Sequence, residues 1–128
     1  MAVARDRPYG GFRFRVTVAR RELDCVGVVL PRLLVRADEP APADFLVLRR
    51  GYTGSLDLYD WWLQERQPKR SRGRRVSVDL LDDAQRAVTT WRFEGCRPVE
   101  LEYTPLDAAE SAIVFETITL TFDDVEMH

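Results

Sequence analysis

Residues 11–18, GFRFRVTV, alternate strictly. Phe12, Phe14, Val16 and Val18 fall on one side, Arg13, Arg15 and Thr17 on the other. A period of two built from aromatic and β-branched residues predicts a strand with one buried face. ARREL (19–23) reads as a turn. DCVGVVLPRLLVRA (24–37) is a second extended region, and Pro31 marks a bend or an edge within it, because proline donates nothing to a ladder. DEPAPAD (38–44) is a loop, since its prolines suit neither a helix nor a central strand. FLVLRRG (45–51) is a third strand ending at a glycine.

The period then changes. TGSLDLYDWWLQERQ (53–67) predicts a helix, with Ser55 as N-cap and Leu58, Trp61 and Trp62 giving it an apolar stripe. Asp57 and Asp60 suit its positive N-terminal end and Arg66 its negative end, and Pro68 stops it. Adjacent helical residues lie about 100° apart, so Trp61 and Trp62 cannot both face the core. One of them is left for a partner.

Strand periodicity returns in RVSVDLL (75–81) and RAVTTWRFEG (86–95), which form a hairpin around DDAQ. RPVELEYTPL (97–106) predicts a further strand with Val99, Leu101 and Tyr103 on one face. SAIVFETITLTFDDV (111–125) predicts a long closing strand, with Val114, Glu116, Ile118, Leu120 and Phe122 opposing Ile113, Phe115 and three threonines. About seven strands and one helix make a mainly β single domain over 1–128, a small antiparallel β-barrel or two packed sheets with a flanking helix.

Composition narrows what such a domain does. A net charge of −2 on 128 residues does not describe a protein that coats nucleic acid. The charge is nevertheless segregated. Lys69, Arg70, Arg72, Arg74 and Arg75 form one cationic run, and the remaining 14 cations (19 minus 5) face 21 acids. The only histidine is His128, a poor centre for acid–base or nucleophilic chemistry. Nucleotide-binding glycine motifs and C-x-x-C are missing from the sequence. Cys25 and Cys96 lack metal-ligand spacing and read as buried free thiols. The reading is therefore non-enzymatic, with no catalytic residues, no cofactor and no metal. No apolar stretch approaches the roughly 20 residues of a membrane helix, and no signal peptide is visible. Assembly in the cytoplasm, without a membrane anchor, is the expectation.

The cationic run lacks interleaved aromatics for base stacking, and no DNA-reading motif surrounds it, so sequence-specific nucleic-acid binding is not expected. Two other readings stand: a solvated loop, or one half of a charged contact between copies of the chain. In the second, Lys69, Arg70, Arg72, Arg74 and Arg75 meet acids such as Asp79, Asp82, Asp83 or Asp123 of another copy. Trp62 joins them as a candidate interface residue. A competing class is a monomeric β-barrel binding module with a ligand near Trp61, Trp62 and Trp91.

Four blocks occur in order: RPYGGFRFRV (7–16), LRRGYTGSLDLYDWW (48–62), RRVSVDLLDDAQRAVTTWRFEGCRPV (74–99) and AIVFETITLTFDDVE (112–126). In this the chain resembles the phage T4 tail tube protein family, the inner-tube proteins of contractile phage tails, R-type tailocins and extracellular contractile injection systems. The resemblance implies hexameric rings stacked into a hollow tube inside a sheath. It implies sheath, baseplate and other tube proteins as partners, a lumen open to cargo, and a particle released from the cell. One departure concerns residues 29–44, where the family usually has a longer excursion. The shortening keeps a specialised ring open as the alternative: a tube initiator, an adaptor or a terminal ring.

Overall fold

The computed structural model describes residues 13–33, 44–66, 72–109 and 112–128. The cationic residues Lys69 and Arg70, and Phe12 of the first strand, lie outside them. The order is β1 (Arg13–Val18), β2 (Arg21–Leu23), β3 (Gly27–Val29), β4 (Leu46–Gly51), α1 (Asp57–Glu65), β5 (Arg74–Leu81), β6 (Ala87–Tyr103), β7 (Phe115–Thr121) and β8 (Asp124–Met127). Every pairing is antiparallel. The strands follow the order β2-β1-β5-β6-β7-β4-β3, with β8 added beside β6. Among the described residues this path is open, so the two-sheet form holds and a closed barrel does not.

β6 belongs to both halves. Its first part pairs with β5 and β8, and its second part with β7. Gly95, with a φ of 68°, and a register shift between Pro98 and Glu100 redirect it from one half to the other. The corner is tight. A Cβ on Gly73 would stand 2.5 Å from the Gly95 carbonyl carbon, and one on Gly95 would stand 2.1 Å from an Asp123 carboxylate oxygen. Both halves turn their apolar faces inward onto one core. Val16, Val76, Val78 and Phe93 come from the first half, Leu46, Leu48, Ile118 and Leu120 from the second, and Leu58 and Trp61 from α1.

Several boundaries differ from the sequence reading. Strands 86–95 and 97–106 are one strand of 17 residues, because the glycine and the bulge bend the chain without ending its pairing. The bulge also splits the predicted face: Val99 is 52% exposed while Leu101 packs on the core. The closing strand breaks after Thr121. Asp123 N–H donates to the Glu94 carbonyl at 2.8 Å, and the chain crosses to the first half as β8. Among the described residues eight strands result. ARREL supplies a two-residue turn and then β2; Ala19 and Arg20 have φ of 47° and 81°, a hairpin geometry usually marked by Asn or Gly. The region 24–33 contains only the short edge strand β3, and Pro31 falls just beyond it.

The helix is shorter than predicted, and Ser55 is not its N-cap. Leu56 holds that position without a side-chain cap. Asp57 takes over part of the task, accepting the Leu58 N–H at 2.9 Å. Its carboxylate is also anchored below. Arg50, 6% exposed, donates Nη1 to Asp57 Oδ2 at 3.1 Å and Nη2 to Oδ1. Arg50 Nε donates to Glu116 Oε1 at 2.6 Å, and Tyr103 Oη donates to Glu116 Oε2 at 2.8 Å. Glu116 is fully buried. The cluster joins β4, β6, β7 and the start of α1.

Removing Arg50 would strand the Glu116 carboxylate in the core, so Arg50→Ala is expected to cost about 3–5 kcal/mol, measured by urea unfolding. Glu116→Gln, which keeps an acceptor, is expected to cost less. Acid should act through Asp57. Burial opposes its charge, but hydrogen bonds from Arg50 and Ser55 outweigh that and leave its pKa below the ordinary aspartate value. Its contribution is therefore complete above the unfolded pKa of about 3.9 and is lost as pH falls through the lower folded value. The urea midpoint of Asp57→Asn should lie below wild type at neutral pH and converge on it in acid.

Candidate assembly surface

The structure places what remains of the cationic run around the entry to β5. Arg72 is exposed. The Arg74 guanidinium lies 4.8 Å over the Trp61 ring and donates to Gln64 Oε1 at 3.1 Å, so this cation helps seat α1. Arg75 is exposed and donates Nε to Glu94 Oε1 at 2.7 Å. The β1–β2 turn comes beside them, with Ala19 N–H donating to the Arg75 carbonyl at 2.9 Å. Arg20 thus lines one shallow depression with Arg74 and Arg75. Sequence reasoning passed over Arg20, because only the β1–β5 register brings it there.

The candidate acids are dispersed. Asp79 sits mid-strand, accepting Arg15 Nη2 at 3.1 Å and Thr90 Oγ1 at 2.6 Å. Asp82 shapes the β5–β6 turn, its Oδ1 accepting the Ala84 and Arg86 N–H groups at 2.9 Å each. Asp83 is exposed in the same turn. These two lie at the far end of β5 from Arg72, Arg74 and Arg75. Asp123 lies at the Gly95 corner and pairs with Arg97 at 3.3 Å. Arg75 has found Glu94 within its own chain, an acid outside the candidate set.

Cross-strand pairs continue over the outer face of the first half. Arg92 donates to Glu126 at 2.5 Å and lies 3.7 Å from Glu94, and His128 lies 3.3 Å from Glu126. The Arg92 hydrogen bond is the main reason the Glu126 carboxyl titrates below the ordinary glutamate value. Much of this face is therefore neutralised within the chain.

The tryptophans divide as helical geometry requires. Trp61 is buried, and Trp62 is half-buried on the outer side of α1 with Tyr59 at 6.0 Å and Arg66 at 5.0 Å. Trp91 packs on the core from β6. Exposed Leu56, Tyr59 and Leu63 extend the outer apolar surface of the helix. Burial pushes the thiols of Cys25 and Cys96 up to about 12 each, which keeps both protonated and weakly reactive. Among the described residues, no three His, Cys, Asp or Glu are grouped to hold a metal ion, and no helix is long and apolar enough to cross a membrane.

This architecture has known counterparts. A chain of the PVC sheath/tube terminator of an extracellular contractile injection system superposes with a TM-score of 0.80 at 23% identity, over 98% of this chain and 99% of that one. A chain of the PVC sheath–tube complex gives 0.77 at 22%, over 96% and 93%. Hcp1 from Flavobacterium johnsoniae gives 0.64 at 16%, over 89% and 93%. These identities show a shared fold. No curated protein matches the chain. The sequence model for the T4-like virus tail tube protein gp19 matches residues 39–126, well over half of the chain, and covers three of the four blocks noted above. The chain belongs to the T4-like virus tail tube protein gp19 family.

Proposed function

We propose that this chain is a structural subunit of the inner tube of a contractile injection system, assembling as hexameric rings that stack inside a sheath. The family match carries this reading. The open sheet and the uncovered apolar surface support it, because both suit a subunit completed by its neighbours. Its partners are further copies of itself, sheath protein, baseplate and other tube proteins, and the lumen is open to cargo. The particle is assembled in the cytoplasm and released.

A terminal or initiating ring is the second reading. The likeness to a sheath/tube terminator chain favours it, as does the short connection at 29–44. Electron microscopy of the purified chain separates the two. A tube subunit extends into hollow tubes of variable length, and a terminal ring stops at one or two rings. A chain that stays monomeric under all conditions and does not join sheath and tube proteins of a contractile injection system would overturn both readings.

The charged contact between copies can be tested in the same assay. Arg72 and Arg75 are exposed at the cationic end of β5, whereas Arg74 is committed to α1. The double variant Arg72→Glu/Arg75→Glu is therefore expected to fold with a urea stability within about 1 kcal/mol of wild type. Its assembly should be impaired and more salt-sensitive. Normal assembly by this variant would remove the cationic run from the interface.

A further inference from the structure

The β1–β2 turn is built from residues that suit it badly. Ala19 and Arg20 hold φ of 47° and 81° in a two-residue turn that glycine or asparagine closes more easily. Backbone strain of this kind persists where the residue it places has a use. Arg20 lines an open depression of about 430 Å³ beside the entry to β5, together with Arg74, Arg75, Thr17, Ser77 and Glu94. Three guanidiniums meet one carboxylate there, an excess of two positive charges. Arg75 is turned to that carboxylate, donating Nε to Glu94 Oε1 at 2.7 Å. Arg74 is held 4.8 Å over the Trp61 ring and donates to Gln64 Oε1 at 3.1 Å, so its place is set before any ligand arrives. The Arg20 side chain has no hydrogen-bond or ion-pair partner among the described residues. Thr17 and Ser77 stand opposite each other in the β1–β5 register, and neither hydroxyl has a partner among the described residues.

We propose that this depression binds a phosphate-type oxyanion, free or carried on a small molecule. A phosphate ester near neutral pH carries about −1.5 to −2 charges, which matches the excess of two in the depression. Its tetrahedral oxygens accept from several directions at once. Guanidinium forks and two neighbouring hydroxyls are donors of that kind, and charge-assisted bonds from arginine are the strong ones among them. A planar carboxylate would use fewer of these donors, and Glu94 already supplies one carboxylate. Among the described residues no aromatic side chain lines the depression, so a base finds no stacking surface and recognition rests on the phosphate group. The site belongs to the single chain, so it stands or falls apart from the tube reading.

The test separates the cation from the strain. Melting of the purified chain is followed in inorganic phosphate at about 10 mM and in sodium chloride of equal ionic strength, which removes general screening from the comparison. Calorimetric titration with phosphate gives the affinity. Wild type should melt higher in phosphate than in the matched chloride, whereas acetate should give no such shift. Arg20→Gly removes the guanidinium and relaxes the turn. It should melt at or above wild type in chloride, lose the phosphate shift, and bind phosphate at least about tenfold more weakly. Ala19→Gly relaxes the same turn but keeps Arg20, and should bind phosphate as wild type does. A nucleoside triphosphate titrated in parallel distinguishes the sources. Tighter binding than inorganic phosphate, lost in Arg20→Gly, assigns the site to a phosphorylated small molecule; equal or weaker binding assigns it to the free anion. A wild-type chain without a phosphate shift, an equal shift in acetate, or unchanged phosphate affinity in Arg20→Gly would overturn the proposal.

Discussion

The fold is organised around a buried ionic cluster. Glu116 has no exposed surface, and its two oxygens are held by Arg50 from β4 and Tyr103 from β6. The other end of the same guanidinium holds Asp57, which opens α1. Taking charges out of water is costly, and this cluster is tolerable because each group meets an opposite charge or a donor. Its geometric consequence is larger than its energy. It fixes where the helix begins against the second half of the sheet, and so directs Trp61 into the core and Trp62 outward. Arg74 completes the placement by lying over Trp61 from the first half.

The two halves present different exteriors. On the first, Arg15–Asp79 and Arg92–Glu126 satisfy charges within the chain. Such pairs add little to association, because a partner would have to compete with contacts already made. The second half carries Val29, Val47, Phe115 and a row of threonines at 117, 119 and 121 on strands that bury Leu46, Leu48, Ile118 and Leu120 on the other side. Association energy in a subunit of this shape has to come from uncovered apolar surface, with the remaining free charges setting orientation. The corner at Gly73, Gly95 and Asp123 keeps the two exteriors distinct, since it is there that β6 passes from one half to the other.

Much of the architecture was legible because strand alternation and helical period respond directly to burial. RFRVTV, VSVDLL and ETITL read as strands and fold as strands, and DLYDWWLQE reads and folds as the helix. Ends were harder. Ala19 and Arg20 adopt left-handed backbone with no Gly or Asn to announce it, and Gly95 in β6 looks like a stop although pairing runs through it. Both partners of the buried pair left a signal: Glu116 is the one charge among Val114, Ile118 and Leu120, and the alternation of FLVLRRG puts Arg50, not Arg49, on the face of Leu46 and Leu48. The candidate surface was legible as a charge run but not as a set of partners. That Asp79 belongs to Arg15 and Arg75 to Glu94 depends on register between distant strands, which no local pattern encodes. Family membership was carried by the order of the blocks, which tolerates these local misreadings.

The most direct measurement is a cryo-EM reconstruction of the particle made by co-expressing this chain with the sheath and baseplate proteins of a contractile injection system. The account predicts density for this fold in the inner wall of the sheath, six copies to a ring. An inner tube built without this chain, with the chain absent from the particle or attached only outside the sheath, would contradict it.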